Sequence, residues 1–229
     1  MSYRSRDMRV SQEIEKFLDL YFYPKICDKR NPVVKYYRSL LGDNNEYAQY
    51  RYHDKKNQFK GRDLKIVYKN TKMIVDEKAA ISPRRINTNL NSFYFELSHY
   101  SPRARLLLTG WFLNNSLDTT HYLLVWVWAT ERYHLEFKHV QYLKALMISK
   151  KKLLNYFDSE GFDQESLKNK IYELSGGKKY LKPPGKDFHF VRSTHLTEDP
   201  TGIVVAKSRL LELSEGAWII YPSKIIVKK

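Results

Sequence analysis

The chain has 229 residues, and 40 lysines and arginines against 25 aspartates and glutamates give it a formal charge of +15. With 42 % hydrophobic and 14 % aromatic residues it can build a core, which excludes disorder over most of its length. No apolar run reaches the roughly 20 residues of a membrane helix, and the single cysteine, Cys27, excludes an internal disulfide framework and a multi-cysteine zinc site. The charge implies a polyanionic partner, because each neutralised phosphate releases condensed counterions. A merely basic surface and contact with anionic lipid are the rivals, and the lack of a long basic amphipathic segment weakens the second. No apolar signal region follows Met1, Arg4, Arg6 and Arg9, so a soluble, cytoplasmic protein with no membrane partner is expected.

In chain order, Val10, Ile14, Phe17, Leu18 and Tyr21 recur at helical spacing and predict a helix over 10–22, with Ser11 or an earlier residue as its cap and Pro24 soon after its end. Residues 43–62 are polar and tyrosine-rich; Tyr47, Tyr50 and Tyr52 suit a first strand and Asp54 to Gln58 a loop. Leu64 to Tyr68 and Met73 to Ala80, separated by Lys69-Asn70-Thr71-Lys72, read as a tight hairpin. Ser92 to Leu97 and His121 to Ala129 are further strands, the second apolar on both faces as a central strand should be. Between them lie Gly110-Trp111 and a polar turn over Asn114 to Asp118. Val140, Leu143, Leu146, Met147, Leu153 and Leu154 predict one long helix over 139–157, and a second spans 163–175 up to Gly176-Gly177. A basic Pro183-Pro184-Gly185 loop follows, then strands at Phe188 to Val191, Gly202 to Ala206 and Trp218 to Tyr221. One domain is expected, with a core over about 10–157 and a C-terminal elaboration over 158–229.

The hairpin carries the chemistry. Side chains alternate along a strand, so Ile74, Asp76 and Lys78 share one face of the second arm while Met73, Val75 and Glu77 share the other. With the turn centred on Asn70-Thr71, Lys65 faces Asp76 and Asp63 faces Lys78, which makes Asp63 and Asp76 diagonal neighbours on one face. Two carboxylates so placed repel unless a cation lies between them. Hard oxygen ligands beside an ammonium are what Mg²⁺-assisted phosphodiester hydrolysis needs.

Asp63, a hairpin, then Asp76-Glu77-Lys78 resembles the PD-(D/E)XK nuclease superfamily, in which an acid opening one strand and an acid-x-Lys on the next form the site. The order of elements agrees, with a helix before a three-stranded meander and a helix and further strands after it. The phrases Gln58-Phe59-Lys60-Gly61-Arg62-Asp63, Val75-Asp76-Glu77-Lys78-Ala79, Ser92-Phe93-Tyr94-Phe95-Glu96-Leu97 and Gly110-Trp111 are similar to small uncharacterised members from bacteria and phages. The likeness covers about residues 10–157, and Arg62 stands where the eponymous proline would be. It implies an α/β fold, a restriction-endonuclease-like mixed sheet flanked by helices. It also implies a metal-dependent endonuclease acting on nucleic acid, DNA by the lean of the superfamily, with Asp63 and Asp76 as ligands of Mg²⁺ or Mn²⁺ and Lys78 positioning the water. Many members act as dimers, so a homodimer is also implied, although no interface is readable. The superfamily often adds an acid from the first helix: Glu13, at the edge of the apolar face, is favoured over Glu15. Glu96 is either a further ligand or the partner of a basic side chain.

The seven histidines form no metal-binding pair, and no nucleophile elbow or phosphate-cradling glycine loop occurs. Tyr36-Tyr37-Arg38, Tyr50-Arg51-Tyr52 and Lys178-Lys179-Tyr180 could stack bases and hold phosphates, or fill a core, as Trp126 and Trp128 are expected to do. Lys150 to Lys152 and Lys178 to Lys186 are groove-lining candidates or a solvated face. Two alternatives stand beside the nuclease: a catalytically inactive module on the same fold that binds nucleic acid or a partner, and a structural protein with an accidental motif.

Overall fold

A computed structural model describes residues 3–27, 51, 57, 60–81 and 84–229. The elements, in order, are α1 (Tyr3–Tyr21), α2 (Tyr23–Ile26), β1 (Leu64–Tyr68), β2 (Thr71–Ala80), β3 (Ser92–Ser101), β4 (Leu106–Thr109), β5 (His121–Ala129), a 3-10 turn (Phe137–His139), β6 (Val140–Ser149), α3 (Lys150–Ser159), α4 (Gln164–Ser175), β7 (Tyr180–Leu181), β8 (Phe188–Arg192), β9 (Thr201–Ala206), α5 (Lys207–Leu213), β10 (Gly216–Ile220) and β11 (Ile225–Val227). The protein is a mixed α/β structure with two sheets. It divides into two compact units that alternate along the sequence: the first takes residues 1–90, 118–148 and 214–229, the second 91–117 and 149–213. No described helix is long and apolar enough to cross a membrane.

The first unit holds the six-stranded sheet β1-β2-β5-β6-β10-β11. Its β1–β2 pair is antiparallel and β2–β5 is parallel. Alternation sends Leu64, Ile66, Met73, Val75, Leu123, Val125 and Val127 to one face, where they meet Val10, Ile14, Phe17 and Leu18 of α1. That stripe follows helical spacing, and burying each large side chain contributes about 1.5–3 kcal/mol. The helix starts at Tyr3, so Ser11 lies inside it rather than capping it. The second unit holds the antiparallel sheet β4-β3-β9-β8-β7. Phe188 and Phe190 of β8 pack against Phe162, and Phe188 also meets Phe157 of α3.

Two expectations are corrected. The long helix over 139–157 is a strand, β6, followed by α3, which starts where the Ser149 hydroxyl accepts from Lys152 N–H. Leu143, Ala145, Leu146, Met147 and Ile148 are all buried; a strand covered on both faces shows apolar residues at every parity and imitates a helical stripe. The hairpin turn is centred on Lys69-Asn70, not Asn70-Thr71: Tyr68 pairs with Thr71 and Leu64 with Val75. Both turn residues are left-handed (φ 46° and 62°), the signature of a type I′ turn, whose twist matches the strands. The predicted first strand over Tyr47, Tyr50 and Tyr52 falls outside the described residues; between them Arg51 makes an antiparallel bridge to Leu64. The Asp54 to Gln58 loop and Tyr36-Tyr37-Arg38 also lie outside them, apart from Asn57.

Candidate active site

The corrected register moves each β1 residue by two positions along β2, so no side chain changes face. Asp63 is now brought directly beside Asp76 instead of diagonal to it, and its N–H donates to the Val75 carbonyl at 3.1 Å. The approach to Asp63 is fastened to the segment that leads into β5. Asp118 N–H donates to the Lys60 carbonyl at 2.8 Å, and the Thr119 hydroxyl donates to the Gly61 carbonyl at 2.7 Å. Arg62 donates to the Asp118 carboxylate (2.7 Å) and to Asn57 Oδ1 (3.0 Å), and so acts as a clasp.

Asp63 Oδ2 accepts the Glu77 backbone N–H at 2.7 Å, and Lys78 Nζ donates to Asp76 Oδ1 at 2.5 Å. Asp76 is buried at 2 % exposure, whereas the Lys78 side chain keeps 28 %. Burial first, and then the Asp76 carboxylate, push Asp63 up to about 7, against the opposing pull of Lys78 and the Glu77 N–H. Near neutral pH Asp63 therefore still holds much of its proton. Tyr122, directly across from Asp76 on β5, has its hydroxyl pKa pushed up by burial and by that carboxylate.

On the other face of β2, Glu77 enters a buried ionic cluster. Arg51, 1 % exposed, donates to Glu77 Oε2 at 2.7 Å and to Asp19 Oδ1 at 2.9 Å. The Tyr23 hydroxyl also donates to Glu77, and Glu15 lies 3.7 Å from Arg51. Burial and then the Glu77 charge push Glu15 up to about 8, with Asp63 among the charges that act on it. Thus Arg51 is a buried structural cation and not a base-stacking residue. The cluster holds the β2 backbone at the residue whose N–H engages Asp63.

Glu13 is not brought to the hairpin: its carboxylate accepts from Phe137 N–H at 2.9 Å and from Lys16 at 2.6 Å. Glu15, beside Arg51, is the α1 acid on which the Asp63 charge acts. Glu96 pairs with His99 Nδ1 at 3.0 Å in the second unit. Lys150 is buried, donating to the Asn114 carbonyl at 3.0 Å, and leaves only Lys151 and Lys152 exposed on that run. Trp126 is a core residue at 1 % exposure, while Trp128 is half-buried and stacked on Tyr142 at 4.9 Å.

Among the described residues, no group of three or more His, Cys, Asp or Glu side chains is arranged to hold a metal ion. A cation at the hairpin would be offered two carboxylates, leaving its other positions to water and a phosphate, as Mg²⁺ accepts. The raised Asp63 also fits, since a divalent cation could take the place of its proton. Comparison with known protein families, with curated proteins and with solved structures found no match.

Proposed function

We propose that this chain is a metal-dependent endonuclease on a restriction-endonuclease-like fold, hydrolysing phosphodiester bonds of nucleic acid, DNA by resemblance. One observation carries the reading: Asp63 and Asp76 stand carboxyl to carboxyl at one hairpin with Lys78 Nζ on Asp76. The antiparallel contact of Arg51 with Leu64, behind α1, supports the expected order of helix and meander. The charge of +15 suits a polyanionic substrate.

Asp63 and Asp76 would hold Mg²⁺ or Mn²⁺, which when bound polarises a phosphoryl oxygen and lowers the pKa of a bound water. Lys78, partly exposed, orients the attacking water and offsets negative charge developing on the phosphate. The Glu77 N–H fixes one Asp63 oxygen, and Arg51 fixes Glu77. A second reading, a binding module without catalysis, draws support from the burial of Asp76, whose charge Lys78 already balances. Lys78→Ala separates the two. Cleavage lost while salt-sensitive binding persists supports the nuclease; a wild type that binds and never cuts, under any divalent metal, supports the module.

A further inference from the structure

The second unit, taken by itself, contains a cleft of about 280 Å³ lined by Ser92, Lys182, Lys186, Asp187, His189, Val204 and Ala206 among others. Its floor is the sheet face opposite the phenylalanine core. The register pairs Ser92 with Ala206 and His189 with Val204, so these side chains share one face, while Phe188 pairs with Val205 on the other. Val204 and Ala206 are half-exposed and short, and give the cleft an apolar floor, with Tyr94 opposite Val204 on the same face.

Two cations line the same cleft. Lys182 and Lys186 bracket Pro183-Pro184-Gly185, in which the proline rings fix φ and Gly185 takes a left-handed φ of 68°. Lys186 N–H closes the turn onto the Pro183 carbonyl at 3.4 Å. Lys186 Nζ is steadied by Glu160 at 2.6 Å, and Lys182, exposed, pairs with no carboxylate among the described residues. The acid at the cleft, Asp187, is engaged elsewhere, by the Tyr156 hydroxyl and by Arg209 at 2.6 Å. His189 lies against the Tyr180 ring at 4.9 Å. Burial and then the Lys182 charge hold its imidazole below the ordinary value, so at neutral pH it offers one N–H donor.

We infer that this cleft is a nucleoside-phosphate site: Lys182, Lys186 and His189 receive the phosphate, and the base lies on Val204 and Ala206. Ammonium groups on a preordered loop beside a ring donor suit a phosphate, and the volume approaches the lower bound of small-ligand pockets, about 300 Å³. The inference is independent of the acids at the hairpin. The ligand is either a free nucleotide or the terminal nucleotide of a nucleic acid, which share this chemistry.

The test is calorimetric titration of the full chain, in EDTA, with adenosine 5′-monophosphate, inorganic phosphate, adenosine and a 5′-phosphorylated oligonucleotide. One-to-one binding of the nucleotide is expected, tighter than phosphate or adenosine alone. It should weaken about tenfold in Lys182→Ala, vanish in Val204→Phe of unchanged thermal stability, and stay unchanged in Asp76→Asn and Lys178→Ala. Tighter binding of the oligonucleotide than of the monophosphate assigns the site to a strand terminus, and the reverse to a free nucleotide. Absence of nucleotide binding at millimolar concentration, or binding indifferent to Lys182→Ala, would overturn the proposal, as would binding lost in Asp76→Asn. None of these results depends on cleavage, so the site and the nuclease reading fail separately.

Discussion

Asp63→Asn should stabilise the protein above neutral pH. Asparagine keeps an oxygen for the Glu77 N–H and presents an N–H₂ toward Asp76, a permanent imitation of protonated Asp63. In the folded chain Asp63 titrates near 7 instead of the ordinary 3.8. Between those values the native state holds a proton that the unfolded state has lost. Native stability therefore falls as pH rises through that window, and the deficit is complete above about 7. At about 1.4 kcal/mol per tenfold difference in proton affinity the ceiling is about 4 kcal/mol. The Lys78 charge and the Glu77 N–H, which favour the ionised form, reduce what the substitution recovers to about 1–2 kcal/mol. For a chain of this size that is about 2–8 °C in Tm. Thermal melts from pH 4 to 9, followed by circular dichroism, should show variant and wild type converging at low pH and separating toward pH 8. At pH 8, Mg²⁺ should raise the wild-type Tm and leave Asp63→Asn nearly unmoved. A variant less stable than wild type at every pH, or a difference that does not grow with pH, would refute the reasoning.

Arg51→Met removes the buried cation and leaves Glu77 and Asp19 without it; urea denaturation should show a loss of about 3–5 kcal/mol, partly restored by adding Glu77→Gln. Lys69→Asn with Asn70→Gly should raise Tm by a few degrees, since both positions are left-handed and lysine resists that conformation. Gly110→Ala should destabilise the second unit, because a Cβ there would meet the Glu96 carbonyl oxygen at 2.5 Å; proteolysis of the 91–117 segment should report it. Activity should fall on acidification through about pH 7 as Asp63 gains its proton, and a pH–rate profile in Mg²⁺ checks this.

Where sequence periodicity had one interpretation, the structure follows it. β5 spans the predicted His121 to Ala129, and the hairpin arms begin within two residues of the predicted limits. β6 was illegible because burial on both faces erases the period of two. Hairpin register depended on which residues accept positive φ, and lysine at Lys69 gives no such signal. The engagement of Glu13 away from the hairpin has a similar cause. A helical wheel ranks acids by nearness to the apolar stripe, yet Glu13 serves the N–H of Phe137, a residue 124 positions away. The i, i+4 spacing of Glu15 and Asp19 was the available signal, since it places two acids on one flank of α1. Arg51 left no local trace, because its partners Asp19 and Glu77 lie 32 and 26 positions away. Asp63, Asp76 and Lys78 were legible because strand alternation alone puts them together, whichever of the two registers holds.

The most direct measurement of the central claim is cleavage of double-stranded DNA, single-stranded DNA and RNA in Mg²⁺, Mn²⁺ or EDTA by wild type and Asp76→Ala. Wild type should cut with either metal and not in EDTA, and the variant should not cut at all. Cutting that persists in EDTA or in Asp76→Ala, or a folded wild type that cuts none of the three, would contradict it.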